Sequence, residues 1–396
     1  MRPIHLVVFL PALLLFACSD QPVIRITGLT SPPTVHPAAE PFLFTDSAGT
    51  VWLSWVEERD SLAFFRYASL HDTSWSEPIT IHSGYNWFVN WADYPMFVRQ
   101  GSHLLAAYLR KSGEETFSYD VALRASEDDM HFTDAGLLNR DSLQAEHGFV
   151  SLVPYRTGIF ASWLDGRHTA GAGGHEHEGH SGEMSVRAAL LRWNGEFIDE
   201  WELDNRVCDC CQTTSAIVEN GPVVIYRDRS REEVRDMSIV RWVNGKWTSP
   251  QNLYTDAWKI SGCPVNGPRC EARGNALAIA WFSMANDSPQ VKVIFSMDGG
   301  ATFGAPVQVN ASETIGRVDL VLVNNSHALV SWIEQEQLKV AVVNQHGKIS
   351  ETITVTGIGE ARSSGFPQLT AHQSGAVIAW TNSATGKIET AKLVIE

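Results

Sequence analysis

Cysteine and histidine are the residues here whose types and spacing most directly suggest chemistry. Cys208-Asp209-Cys210-Cys211 places three thiols within four residues, and Cys263 follows in Gly262-Cys263-Pro264-Val265-Asn266-Gly267-Pro268. Three readings stay open for this set. A disulfide from Cys263 to one of the three would staple two loops. Alternatively, the thiolates could hold a soft metal such as copper(I) or zinc, or exchange electrons. Cys210 and Cys211 are poor partners for each other, because adjacent Cα atoms lie about 3.8 Å apart and a disulfide normally needs roughly 4.4 Å or more. With Cys270, five cysteines follow Cys18, so an even pairing leaves one over. Cys270 lies past Pro268 and reads as a buried bystander. A second cluster, His175, His177 and His180 in a glycine-rich stretch, could take zinc or copper(II) through imidazole nitrogens.

Charged and aromatic residues form the other candidate set. Arg227-Asp228-Arg229 runs on to Arg235-Asp236, with Asp165 and Arg167 earlier and Trp91 and Asp93 before those. Arginines recognise carboxylates, carboxylates accept sugar hydroxyls, and indoles stack on sugar rings. Together they form a candidate glycan or acidic-ligand site. The formal net charge of −15 argues against a nucleic-acid partner.

Such residues need elements to position them, and the chain supplies a repeat. A short apolar strand ending in an aromatic residue recurs at Trp55, Tyr108, Trp163, Tyr226, Trp281, Trp332 and Trp380. The intervals are 53, 55, 63, 55, 51 and 48 residues, the length of a four-stranded propeller blade. Around each tag lie segments alternating with period two, such as Phe64 to Ala68, separated by Gly- and Asn-rich turns. The expected fold is an all-β propeller of seven four-stranded blades, or six if one unit is degenerate. The seventh unit lacks a fourth strand, and Val23 to Leu29 is a spare strand-like segment that could close the ring. The longest interval contains the histidine-rich insertion.

Ser296-Met297-Asp298-Gly299-Gly300-Ala301-Thr302-Phe303 resembles the Asp-box hairpin of the sialidase (BNR-repeat) superfamily. Ser126-Glu127-Asp128 with Phe132, and Ser69 with Asp72 and Trp75, are degraded copies. The resemblance covers residues 36–396 as architecture and implies a sialidase-like propeller. Any enzyme activity it implies is that of an exo-sialidase-like glycoside hydrolase. Arg227 sits where one family arginine often sits. The chain has no Arg-Ile-Pro signature near its N-terminus, and no Tyr–Glu pair stands out, so binding with little turnover is the expectation. The Asp-box itself implies a turn-stabilising role.

The first residues read as an address. Arg2, the apolar run Leu6 to Phe16, and Leu15-Phe16-Ala17-Cys18 resemble a bacterial lipoprotein signal. This predicts a signal peptide over 1–17, lipidation of Cys18, a tether with the closing strand over 18–35, and a single propeller over 36–396. By the same resemblance to known lipoproteins, Ser19 after Cys18 implies the outer membrane of the cell envelope, reached through the lipid anchor.

Overall fold

The computed structural model describes residues 22–170 and 182–396. The signal segment 1–17, Cys18, and His175, His177 and His180 lie outside the described residues.

Seven antiparallel sheets are arranged as the blades of a propeller. Six occupy residues 38–84, 96–137, 147–204, 214–252, 269–308 and 314–357, and each is continuous in sequence. The seventh takes Gln368–His372, Gly375–Asn382 and Lys387–Ile395 from the end of the chain and Ile24–Gly28 from its beginning. Ile24 pairs with Ile395 and Gly28 with Ala391, and Val23 and Glu396 exchange two backbone hydrogen bonds of 3.0 Å. The segment left over in the sequence therefore covers the edge that the last blade would otherwise expose. The first strands of successive blades touch one another around a closed ring.

The repeated aromatic residues lie on the second strand of every blade, the one buried on both faces. Trp55, Trp163, Trp281 and Trp332 are each 0% exposed. Burying an indole requires a partner for its N–H. In three blades this is the acid two residues on: Trp55 donates to Glu57, Trp163 to Asp165 and Trp332 to Glu334, at 2.7–2.9 Å. Trp281 instead reaches Asp256 in the preceding loop. Seven apolar clusters fill the seven seams between neighbouring blades, so the core is a ring of interfaces.

The Asp-box forms the hairpin between the third and fourth strands of blade five. Asp298 accepts the Thr302 N–H at 2.8 Å and its hydroxyl at 2.7 Å, while Ser296 Oγ accepts the Gly300 N–H. Gly299 and Gly300 have φ of +68° and +80°, a region that favours glycine. The copy in blade two keeps the device: Asp128 accepts the N–H groups of Met130 and His131.

Candidate functional site

Because strands alternate in direction, the loops leading into first strands and those leaving second strands open on one face. A cavity of about 360 Å³ lies there, lined from blades two, three, four, five and seven. Asn90 and Trp91 come from the loop into blade two, Glu146 and Phe149 from the start of blade three, and Thr169 and Met184 from beyond its second strand. The loop into blade four supplies Asp209 and Cys210. The loop into blade five gives Cys263 and Val265, and the loop into blade seven gives Arg362.

Short side-chain ties position these loops. Gln212 donates to the Ala92 carbonyl at 2.6 Å and accepts the Gly267 N–H at 2.9 Å, joining the loops into blades two, four and five. Asp236 accepts the N–H groups of Ala257 and Trp258, pinning the loop that carries Cys263.

At the cavity wall Glu146 accepts the Tyr119 hydroxyl at 2.7 Å, with Tyr119 fully buried. Burial, then the neighbouring charges of Asp209 and Asp93, pushes Glu146 up to about 8 against the pull of the Tyr119 bond. Asp93 is also buried. Its Oδ1 accepts the Phe149 N–H at 2.8 Å, its Oδ2 has no hydrogen-bond partner among the described residues, and burial raises it to about 8. Burial thus favours the protonated form of both carboxyls, which can donate a hydrogen bond where an ionised carboxylate could only accept. Glu146 immediately precedes the first strand of blade three. Its pairing with Tyr119, 27 residues earlier on another blade, has no local signature.

The thiols converge as well. A turn at Asp209 and Cys210 brings Cys208 and Cys211 together, with sulfurs 3.6 Å apart, and Cys208 lies 4.0 Å from Cys210. Cys263 lies on the facing loop close enough to interact with Cys210. Cys208 and Cys211 are buried, whereas Cys210 and Cys263 reach the cavity. All five described cysteines are free thiols. Cys270 lies outside the cluster, beside Thr214 on the first strand of blade five; it is half-buried rather than fully enclosed.

The arginines and acids expected to hold an acidic ligand are mostly spent on the protein. Arg227 is 2% exposed and donates to the carbonyls of Asn266, Arg235 and Phe282, so it is a structural tie and not a lining group. Arg229 pairs with Glu233 and Asp209. Arg235 is 3% exposed and pairs with Glu233 and the Cys208 sulfur. Asp228 accepts from Ser238 and from the Arg229 N–H. Asp165 is fully buried, gripped by Arg167 at 2.8 Å through two bonds and flanked by His147, itself 2.9 Å from Asp141. Arg227 and Asp165 face inward because each ends a second strand buried on both sides, which carries its last charge into the seam. Arg362 is the one guanidinium among the described residues lining the cavity. Trp91 lines it too, but stacks on Phe366 and lies under Arg317, so much of its ring serves packing.

No protein-family model matches this chain, and no curated protein matches it. Solved structures do. An α-L-arabinanase of Penicillium chrysogenum, complexed with arabinobiose, is 12% identical; the match covers 94% of this chain and 97% of that one, with a TM-score of 0.50. An α-L-arabinofuranosidase of Fusarium graminearum with an iminosugar inhibitor is 11% identical, with 94% and 97% coverage and a TM-score of 0.51. The polysaccharide lyase Uly1 is 8% identical, with 93% and 92% coverage and a TM-score of 0.54. At these identities the likeness is one of fold.

Proposed function

We propose that this chain is a lipid-anchored envelope propeller whose loop-face cavity binds a neutral glycan segment without cleaving it. The observation that carries the reading is the cavity wall itself. Rings of Trp91, Phe117 and Phe149 stand beside the Glu146 carboxyl, which burial pushes up to about 8, while Arg227 and Arg229 are tied to protein groups and Arg362 is left as the cavity's guanidinium among the described residues. Apolar faces with a few placed donors suit a sugar ring. The α-L-arabinanase and α-L-arabinofuranosidase propellers of similar fold support the choice of ligand class.

Calorimetric titration with arabinobiose and a panel of neutral oligosaccharides, with sialyllactose as the acidic comparator, tests the reading. A neutral glycan should bind, Glu146→Ala should weaken it by roughly tenfold or more, and Glu146→Gln, which keeps a donor, should weaken it less. A preference for sialyllactose, or release of sialic acid from a chromogenic sialoside, would overturn it. The anchor is tested separately: Cys18→Ala should abolish incorporation of a fatty-acid probe, and normal labelling of that variant would remove the lipoprotein assignment.

A further inference from the structure

Glycan binding does not explain why three thiols gather at one turn, and their geometry asks for another occupant. The sulfurs of Cys208, Cys210 and Cys211 all lie within 4.8 Å of one another, with two of the separations 3.6 and 4.0 Å. Thiolates on one metal at about 2.3 Å are spaced roughly 3.8 Å apart in tetrahedral geometry. Three thiols arranged only to fill space have no reason to collect donors, yet these do. Arg235 Nη1 points at the Cys208 sulfur at 3.2 Å, and the Asn266 N–H points at Cys211 at 3.4 Å. Both contacts favour negatively charged sulfur. Arg235 is itself fixed by Glu233, and the Cys208 N–H is tied to the Arg227 carbonyl, so the turn is braced from two sides. Cys210 and Cys263 open on the cavity, which supplies a route in and a fourth sulfur from the facing loop.

From this geometry we infer that Cys208, Cys210 and Cys211, with Cys263 closing from the opposite loop, form a binding site for one soft d10 cation, zinc(II) or copper(I). An all-sulfur donor set selects these over magnesium, calcium or manganese. Each ligating thiol gives up its proton on binding. The arginine beside Cys208 offsets part of the negative charge that several thiolates leave around a mono- or divalent ion. The assignment is independent of the glycan reading and stands or falls without it.

The test uses full-length protein without a histidine tag, reduced and handled without oxygen. Cobalt(II), as an optical probe for zinc, should give a thiolate-to-metal charge-transfer band at one equivalent per chain. Competition titrations with chromogenic chelators specific for zinc(II) or copper(I) then decide which ion binds more tightly. Cys208→Ser and Cys211→Ser should lose the band and weaken binding by more than about 100-fold, beyond the cost usual for an outer-shell partner. Arg235→Met, which removes only such a partner, should cost about 10- to 100-fold. Cys270→Ser, and a variant with His175, His177 and His180 all changed to alanine, should keep the band. Should the buried serine variants fail to fold by circular dichroism, Cys210→Ser, on the cavity wall, carries the same test. Wild-type affinity in every folded cysteine variant, loss of binding in the histidine variant alone, or fully reduced protein that takes up neither ion would each overturn the site.

Discussion

Blades four and six are built to the same plan and end their second strands differently. Blade six ends at Glu334, which accepts from Trp332 two residues back, from Lys339 five residues on and from the Ser312 N–H in its own leading loop. The charge is closed within its own repeat. Blade four ends at Arg227, whose guanidinium crosses the seam to Asn266 and Phe282 of the next repeat as well as to the Arg235 carbonyl. Its following loop carries Arg229, Glu233 and Arg235 in a further network that reaches the thiols. Only that terminal charge is self-contained in blade six, since Arg317 on its first strand reaches the Ala361 and Gly365 carbonyls ahead of blade seven. In blade four the terminal charge itself is completed by blade five, and the cysteine cluster lies at that seam.

The contrast can be broken most sharply at the two charges themselves. Arg227→Ala leaves three buried carbonyls without their donor and should cost about 3–5 kcal/mol in urea denaturation. Glu334→Gln keeps its shape and an acceptor and should cost about 1–2 kcal/mol. Equal losses would mean that crossing the seam adds nothing. The next largest effect is expected at Gly267, where an added Cβ would sit 2.4 Å from the Gln212 carbonyl oxygen and 2.6 Å from its nitrogen. Gly267→Ala should cost about 1–3 kcal/mol and lower the melting temperature, because backbone and not a flexible side chain must give way.

Asp93 sharpens the comparison through pH. Its folded-state carboxyl is raised to about 8 from 3.8, so its contribution is fully present below about pH 4 and is lost as pH rises toward 8. Asp93→Asn cannot lose a proton, and between pH 5 and pH 8 it should gain more than about 1 kcal/mol relative to the parent. Parallel stability curves for the two proteins would show that Asp93 is ionised in the fold. The smallest effect is expected at the Asp-box. Asp298→Ala removes bonds confined to one exposed hairpin and should cost about 1 kcal/mol, leaving metal uptake and glycan binding unchanged.

What was legible in the sequence follows the same division. The aromatic-tagged strands, the Asp-box and the closing segment are written in residues a few positions apart, or in a register that an unpaired edge demands. Each lies where the repeat placed it. The meeting of Cys208, Cys210 and Cys211 with Cys263 followed from blade order, since consecutive leading loops must be neighbours. The arginine run could not be resolved further, because a guanidinium reads alike whether its donors face a ligand or a carbonyl 39 residues away, as for Arg227 and Asn266. For Asp165 the Arg167 contact is local, but its neighbour His147 comes from another strand. The Tyr119–Glu146 pair was silent because its members belong to different blades, and neither residue type is unusual in a strand or a loop.

The shared last blade has a consequence for how the molecule is made. Ile24–Gly28 is the first described strand and its partner, Lys387–Ile395, the last. Six blades can gather their hairpins from local partners, while this strand must find one more than three hundred residues along the chain. The ring cannot lock until the far end arrives. Throughout that wait the molecule presents two strand edges that fit each other, and a second chain at the same stage offers the same pair. Pairing of the two ends within one chain therefore covers both edges at once.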